Sequence, residues 1–170
     1  MSDTGTKQSE TGQLEPRFEN GRTMRIVGLQ RHYTSKTMDE IPTQWEEFAK
    51  HLNKIPGRIG VSYGVGSNLK MMPFEFDYTS GVEARQDAAL ADGFASVSIP
   101  ALRYAVFTHE GPVSRIRETI DAAWNKWMRV SGHRPVKAGP DVPYMLERYG
   151  EGFDPQTMSG DIELWIPIEN

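Results

Sequence analysis

The stretch LRYAVFTHE (102–110), running into GPVSRIRETIDAAWNKWMRVSG (111–132), decides the fold. Its first part is rich in aromatic and β-branched residues and predicts a strand. In the second, Ile116, Ile120, Ala123, Trp124 and Trp127 fall on one helical stripe, with Pro112 suited to the first turn and Gly132 to the end. The same succession occurs earlier. MRIVGLQRHY (24–33) predicts a strand, and IPTQWEEFAKHLNKI (41–55) sets Ile41, Trp45, Phe48, Leu52 and Ile55 on a stripe closed by Pro56 and Gly57. Strand-like segments follow each helix: RIGVSYGV (58–65) and PFEFDYTSG (73–81), then YMLERY (144–149) and IELWIPI (162–168). One more, GFASVSIP (93–100), precedes the second cycle.

Two cycles of this kind predict a duplicated strand–helix–strand–strand module of the α+β class. The halves cover about 17–90 and 91–170, each an antiparallel sheet backed by one main helix, with a ligand cleft between them. Each half also reaches a Pro–aromatic pair, Pro73-Phe74 and Pro143-Tyr144, and superposing these sets Asp77 against Glu147. A ferredoxin-like sandwich with an added hairpin is the alternative.

Composition narrows the function. The 170 residues suit one domain, and a formal net charge of −4 without a long basic run argues against direct DNA binding. With no cysteine there is neither a disulfide nor a thiolate metal site, and His32, His51, His109 and His133 lack metal-ligand spacing, so no metal or cofactor is expected. No apolar run approaches the roughly 18 residues of a membrane span. Residues 1–16 are polar, lack a signal-peptide core and predict a disordered tail, so a cytoplasmic location is expected. GVSYGVGSN (60–68) carries a G-x-G element but no following helix, which removes the phosphate-loop reading. His109, beside Glu110, reads as a capping or surface residue, and Trp45, Trp124 and Trp127 read first as core.

Glu147 is the residue that asks for an explanation, since it interrupts a strand of bulky apolar side chains. Alternation puts Tyr144 and Leu146 on one face, expected toward the helix, and Met145, Glu147 and Tyr149 on the other. Were the last strand to pair there, Trp165 and Glu147 would look into one space. A carboxylate walled by rings recognises an organic cation: about 4 kcal/mol of Coulomb attraction at 4 Å and about 0.5–2 kcal/mol per ring reach micromolar affinity after desolvation and ordering. In such a desolvated site the glutamate would hold its proton more tightly than in water. The competing reading has Glu147 facing solvent, or paired with Arg148 or Arg134.

These residues resemble a known family. Ile99, Pro100, Tyr104, Phe107, His109, Gly111 and Pro112 keep the pattern of the GyrI-like effector-binding domain; Leu102 departs from it where glycine is usual. FDYTSGVEA, PYMLERY and IELWIPI extend the likeness over about 17–168. This module occurs in AraC-type and multidrug-sensing MerR-type transcription regulators, and alone in gyrase-inhibitor-like and integron-cassette proteins. The resemblance implies a single domain over 17–170 that takes up small aromatic or cationic amphipathic molecules, with Glu147 as counter-charge. It places Tyr149 and Trp165 near that group, Tyr104 as a further candidate, and Trp45, Tyr63 and Phe74 as opposing walls by pseudo-symmetry. No helix-turn-helix is evident in these 170 residues, so a stand-alone receptor is expected. Relatives of the resemblance also imply two alternatives. One is a hydrolase of small electrophilic compounds, with Glu147 as general base and Tyr104 or Tyr149 as proton donor. The other is a protein–protein regulator resembling gyrase inhibitors, its partner unknown.

Overall fold

A computed structural model describes residues 7–8 and 14–170. Of the expected disordered tail, residues 1–6 and 9–13 lie outside the described residues, whereas β1 (Lys7–Gln8) and β2 (Leu14–Glu15) pair as a small antiparallel ladder. The remaining elements are α+β, as the repeat predicts. In order they are β3 (Arg17–Asn20), β4 (Met24–Thr34), α1 (Ile41–His51), β5 (Arg58–Met71), β6 (Phe74–Ala84), β7 (Ala95–Ile99) and β8 (Arg103–His109). Then come α2 (Ile116–Asp121), a π-helical segment (Ala122–Trp127), α3 (Met128–Val130), β9 (Met145–Tyr149) and β10 (Ile162–Ile168). Gly57 and Gly132, the expected helix stops, both adopt positive φ (69° and 82°), where a side chain would strain the backbone. Among the described residues, no helix is long and apolar enough to cross a membrane.

The chain forms two compact units that do not coincide with a cut near residue 90. Among the described residues, the first holds 7–8, 14–21, 102–136 and 147–170; the second holds 22–101 and 137–146. In the first the strand order is β3-β8-β10-β9, and in the second β7-β4-β6-β5. The two orders match element for element. Each cycle's leading short strand is exchanged: β3, just before β4, pairs antiparallel with β8, and β7, just before β8, pairs antiparallel with β4. This matching corrects one sequence equivalence. By position β6 corresponds to β10 and β5 to β9, so Asp77 of β6 is not the counterpart of Glu147 of β9. The Pro–aromatic pairs mislead because the first precedes the second strand after its helix, and the other the first.

Within the second unit, α1 buries Phe48 against Val27, Ile55, Val82 and Ala84, as its stripe predicts. Gln44, also on the buried side of α1 and fully buried, cross-links three elements. Its Nε2 amide donates to the Leu29 carbonyl (2.8 Å), the Tyr78 carbonyl (3.1 Å) and Ser80 Oγ (3.0 Å), while its Oε1 accepts from the Tyr33 hydroxyl (2.5 Å). On the opposite face of this sheet, His32 Nδ1–H donates to Asp77 Oδ1 at 2.8 Å, and Asn68 Nδ2 donates to Asp77 Oδ2 at 2.7 Å. Glu75 lies 3.5 Å from His32 Nε2 and 3.2 Å from Lys70 Nζ. The Asp77 hydrogen bond, with help from Glu75, raises the His32 pKa above the ordinary 6.5; Lys70 first, then His32, lowers that of Glu75.

Replacing Gln44 with leucine strips partners from a buried hydroxyl and two strand carbonyls, so Gln44→Leu should destabilise the chain by about 2–4 kcal/mol in urea. A loss under about 0.5 kcal/mol would show that water replaces the amide. Because the His32 pKa is raised on folding, its contribution is complete below about pH 6.5 and disappears as pH climbs through the folded value. The unfolding midpoints of wild type and His32→Gln should therefore differ most near pH 6 and converge by about pH 9. A pH-independent gap between the two would deny His32 that role.

Candidate functional site

Register and ion pairs assign every candidate side chain of the first unit to a face. Leu164, Ile166 and Ile162 of β10 stand opposite Phe107, Ala105 and His109 of β8, and this is the face the helix covers. Trp127 packs edge-to-face on Phe107 (centroids 5.3 Å apart), and Thr119 donates its hydroxyl to His109 Nδ1 at 2.7 Å. His109 Nε2–H donates in turn to the Pro112 carbonyl (2.8 Å). Both ring nitrogens are thereby used by a buried histidine that clamps strand to helix, rather than a surface residue.

The other face carries Tyr104 and Val106 of β8 with Glu163, Trp165 and Pro167 of β10. Here Glu163 accepts from the Trp165 indole N–H (3.2 Å), and its carboxylate lies 2.7 Å from Arg17 and 3.5 Å from Arg148. Tyr104 meets Trp165 edge-to-face at 5.2 Å. Burial pulls the Arg17 pKa down, but the hydrogen bonds to Glu163 and Glu19 together outweigh it and leave it raised.

Arg148 reaches Glu163, so alternation along β9 sends Glu147 and Tyr149 to the helix-covered face. Sequence alternation had assigned them the reverse orientation, with Leu146 toward the helix. Both faces of this sheet are buried: Tyr104 and Val106 are as inaccessible as Phe107 and Leu164, so apolar content does not distinguish inside from outside. Glu147 is itself buried, at 7% exposure, which overturns the solvent-facing reading; Arg148 is engaged with Glu163. The Tyr149 hydroxyl donates to Glu147 Oε1 at 3.0 Å, and the Tyr149 ring rests edge-on to Phe153 (5.2 Å).

The expected companions divide accordingly. Glu147 and Tyr149 are brought together, while Trp165 and Tyr104 form a separate pair on the opposite face of the same sheet. Tyr104 is therefore not placed to donate a proton to a molecule held by Glu147. In the second unit, Trp45 donates its indole N–H to the Tyr78 hydroxyl (2.9 Å) and packs edge-to-face on Phe48 (5.8 Å). Phe74 joins Phe76 (5.6 Å) in the neighbouring aromatic cluster of Tyr33 and Tyr78. Tyr63 pairs with Gly81 while α1 covers Val82, so Tyr63 lies on the face away from Trp45 and Phe74. Residues 60–68 all lie within β5, in keeping with the absence of a phosphate loop. Among the described residues, no cluster of three or more His, Cys, Asp or Glu has a metal-binding arrangement.

The fold and the residues that carry it have known relatives. A profile of the integron-associated effector binding proteins matches residues 18–168, and the chain belongs to that family. The transcriptional regulator BrlR of Pseudomonas aeruginosa is 32% identical over 143 residues, 84% of this chain and 51% of that protein. The chain thus spans about half the length of this curated relative. Among solved structures, SAV2435 bound to tetraphenylphosphonium superposes with a TM-score of 0.71 at 16% identity, over 91% of this chain and 94% of that one. An integron cassette protein of Vibrio cholerae gives 0.66 at 15% identity, over 91% and 96%. At these identities the structural likenesses establish a common fold, the one expected from the Ile99–Pro112 motif.

Tyr149→Phe removes a hydroxyl donor from a buried carboxylate. It should lower stability by about 1–3 kcal/mol in denaturant titration at neutral pH. An unchanged midpoint would mean that the Glu147 carboxylate is held without Tyr149.

Proposed function

We propose that the chain binds small cationic or aromatic amphipathic molecules, with Glu147 as the counter-charge. The burial of Glu147 carries this reading. A carboxylate removed from water inside a sheet is costly, and the Tyr149 hydroxyl is among the groups that hold it in place. A buried negative charge of this kind favours an organic cation as ligand, with neighbouring rings adding cation–π attraction. Family membership and the lipophilic cation bound by SAV2435, a protein of the same fold, support the reading. Trp165 and Tyr104 leave the set of direct ligand contacts and serve instead to stiffen the far side of the β8–β10 ladder. Trp45, Tyr63 and Phe74 are retained as secondary candidates on pseudo-symmetry alone. Binding without turnover is the proposed activity, in a cytoplasmic receptor that does not itself contact DNA.

Isothermal titration with tetraphenylphosphonium should give saturable binding in the micromolar range, about −8 kcal/mol. Glu147→Gln keeps the shape and most hydrogen bonds but removes the charge, and should weaken binding about 10- to 100-fold with its melting temperature largely kept. Undiminished affinity in that variant would rule out the counter-charge role.

A further inference from the structure

The helix over the first unit departs from α geometry at one place, Ala122–Trp127, where the Met128 N–H reaches the Ala123 carbonyl five residues back. The departure changes where two tryptophans point. An α-helix turns about 100° per residue, so with Ala123 facing the sheet, Trp124 and Trp127 would stand about 100° and 40° round on the same flank. An i→i+5 segment turns only about 82° per residue, which leaves Trp124 about 80° to one side of Ala123 and carries Trp127 about 30° to the other.

The contacts agree with the π geometry. Ala123 is fully buried toward the sheet. Trp127 leans to the β8 and β3 side, with Phe107 at 5.3 Å, Phe18 at 6.2 Å and the His133 ring stacked at 5.5 Å. In the order β3-β8-β10-β9, the opposite flank looks toward β10 and β9, the strand of Glu147 and Tyr149. On the π-helical turn, with Trp127 on the β8 and β3 side, Trp124 falls on that flank. It is half-buried, and among the described residues its indole N–H has no hydrogen-bond partner and its ring no aromatic neighbour. Sequence reading takes both tryptophans for core residues, whereas the ring contacts to Phe107 and His133 are made by Trp127.

We propose that Trp124 is an aromatic wall of the Glu147 site, turned toward it by the π-helical segment, and that its ring sets the preference of that site for a cation over a neutral molecule of the same shape. The proposal rests on the cation-binding reading above. Glu147 supplies the charge from the strand, and Trp124 supplies a ring face from the helix on the same side of the same sheet. Among aromatic side chains, an indole face attracts a cation most strongly. The role is one of specificity: the ring favours a cation over a neutral molecule of similar shape, which a merely space-filling residue does not.

The test is calorimetric titration of wild type, Trp124→Phe and Trp124→Leu with tetraphenylphosphonium and with neutral triphenylphosphine oxide. Trp124→Leu should weaken the cation by about 3- to 30-fold and the neutral compound much less, with Trp124→Phe between. Tetraphenylphosphonium should also quench tryptophan emission in wild type, and most of that quenching should vanish in Trp124→Phe. This second readout decides the matter if the leucine variant fails to fold. Unchanged cation affinity and quenching in the Trp124 variants, with Glu147→Gln still weakened, would overturn the Trp124 role and leave the binding function standing. Equal losses for cation and neutral compound would make Trp124 ordinary packing. Absence of cation binding by wild type would remove the receptor reading itself.

Discussion

A carboxylate inside a β-sheet has to be solvated by something other than water, and the architecture around Glu147 follows from that requirement. Its strand is short, its neighbours Met145 and Leu146 are buried, and the hydrogen bond from Tyr149 comes from two residues along on the same face. Tyr149 is braced by Phe153 in the turn that leads to β10. These contacts fix the direction of the charge. They also confine it to the face over which α2 and the π-helical segment lie.

The opposite face holds its own carboxylate, and the contrast is informative. Glu163 sits near two guanidinium groups, those of Arg17 and Arg148, and also accepts from the Trp165 indole. That group is neutralised locally, and its partners come from β3, β9 and β10 together. Arg17 reaches it because β3 was exchanged into this unit to pair with β8. One sheet thus keeps two glutamates on opposite sides, one paired with arginines and one hydrogen-bonded by a tyrosine and, on the proposed reading, facing a ligand. Placing both on one face would have let Arg148 or Arg17 serve the site glutamate and cancel its charge.

Much of this was legible in the sequence, and the remainder was not for definite reasons. The strand–helix succession shows in apolar periodicity because each helix buries one stripe, and the motif from Ile99 to Pro112 names the family. Glu147 is conspicuous because a charge in a bulky strand needs a cause. The face it occupies is not conspicuous, since Tyr104, Val106 and Leu146 make the far side as apolar as the near side. The exchange of β3 and β7 is a non-local pairing, and β3 is only four residues long, with alternating charges that resemble a linker. The π-helical segment is the least legible feature. Ile116, Ile120, Ala123, Trp124 and Trp127 fit an α-helical stripe, and one altered hydrogen-bond register moves Trp127 from one flank to the other.

The most direct measurement is a crystal structure of the chain with tetraphenylphosphonium. The account predicts the phosphorus within about 4–6 Å of the Glu147 carboxylate, with a phenyl group against the Trp124 ring. A cation seated instead in the cavity of about 210 Å³ beside Arg31, His32, Tyr33, Glu40 and Thr43, with Glu147 unvisited, would contradict it.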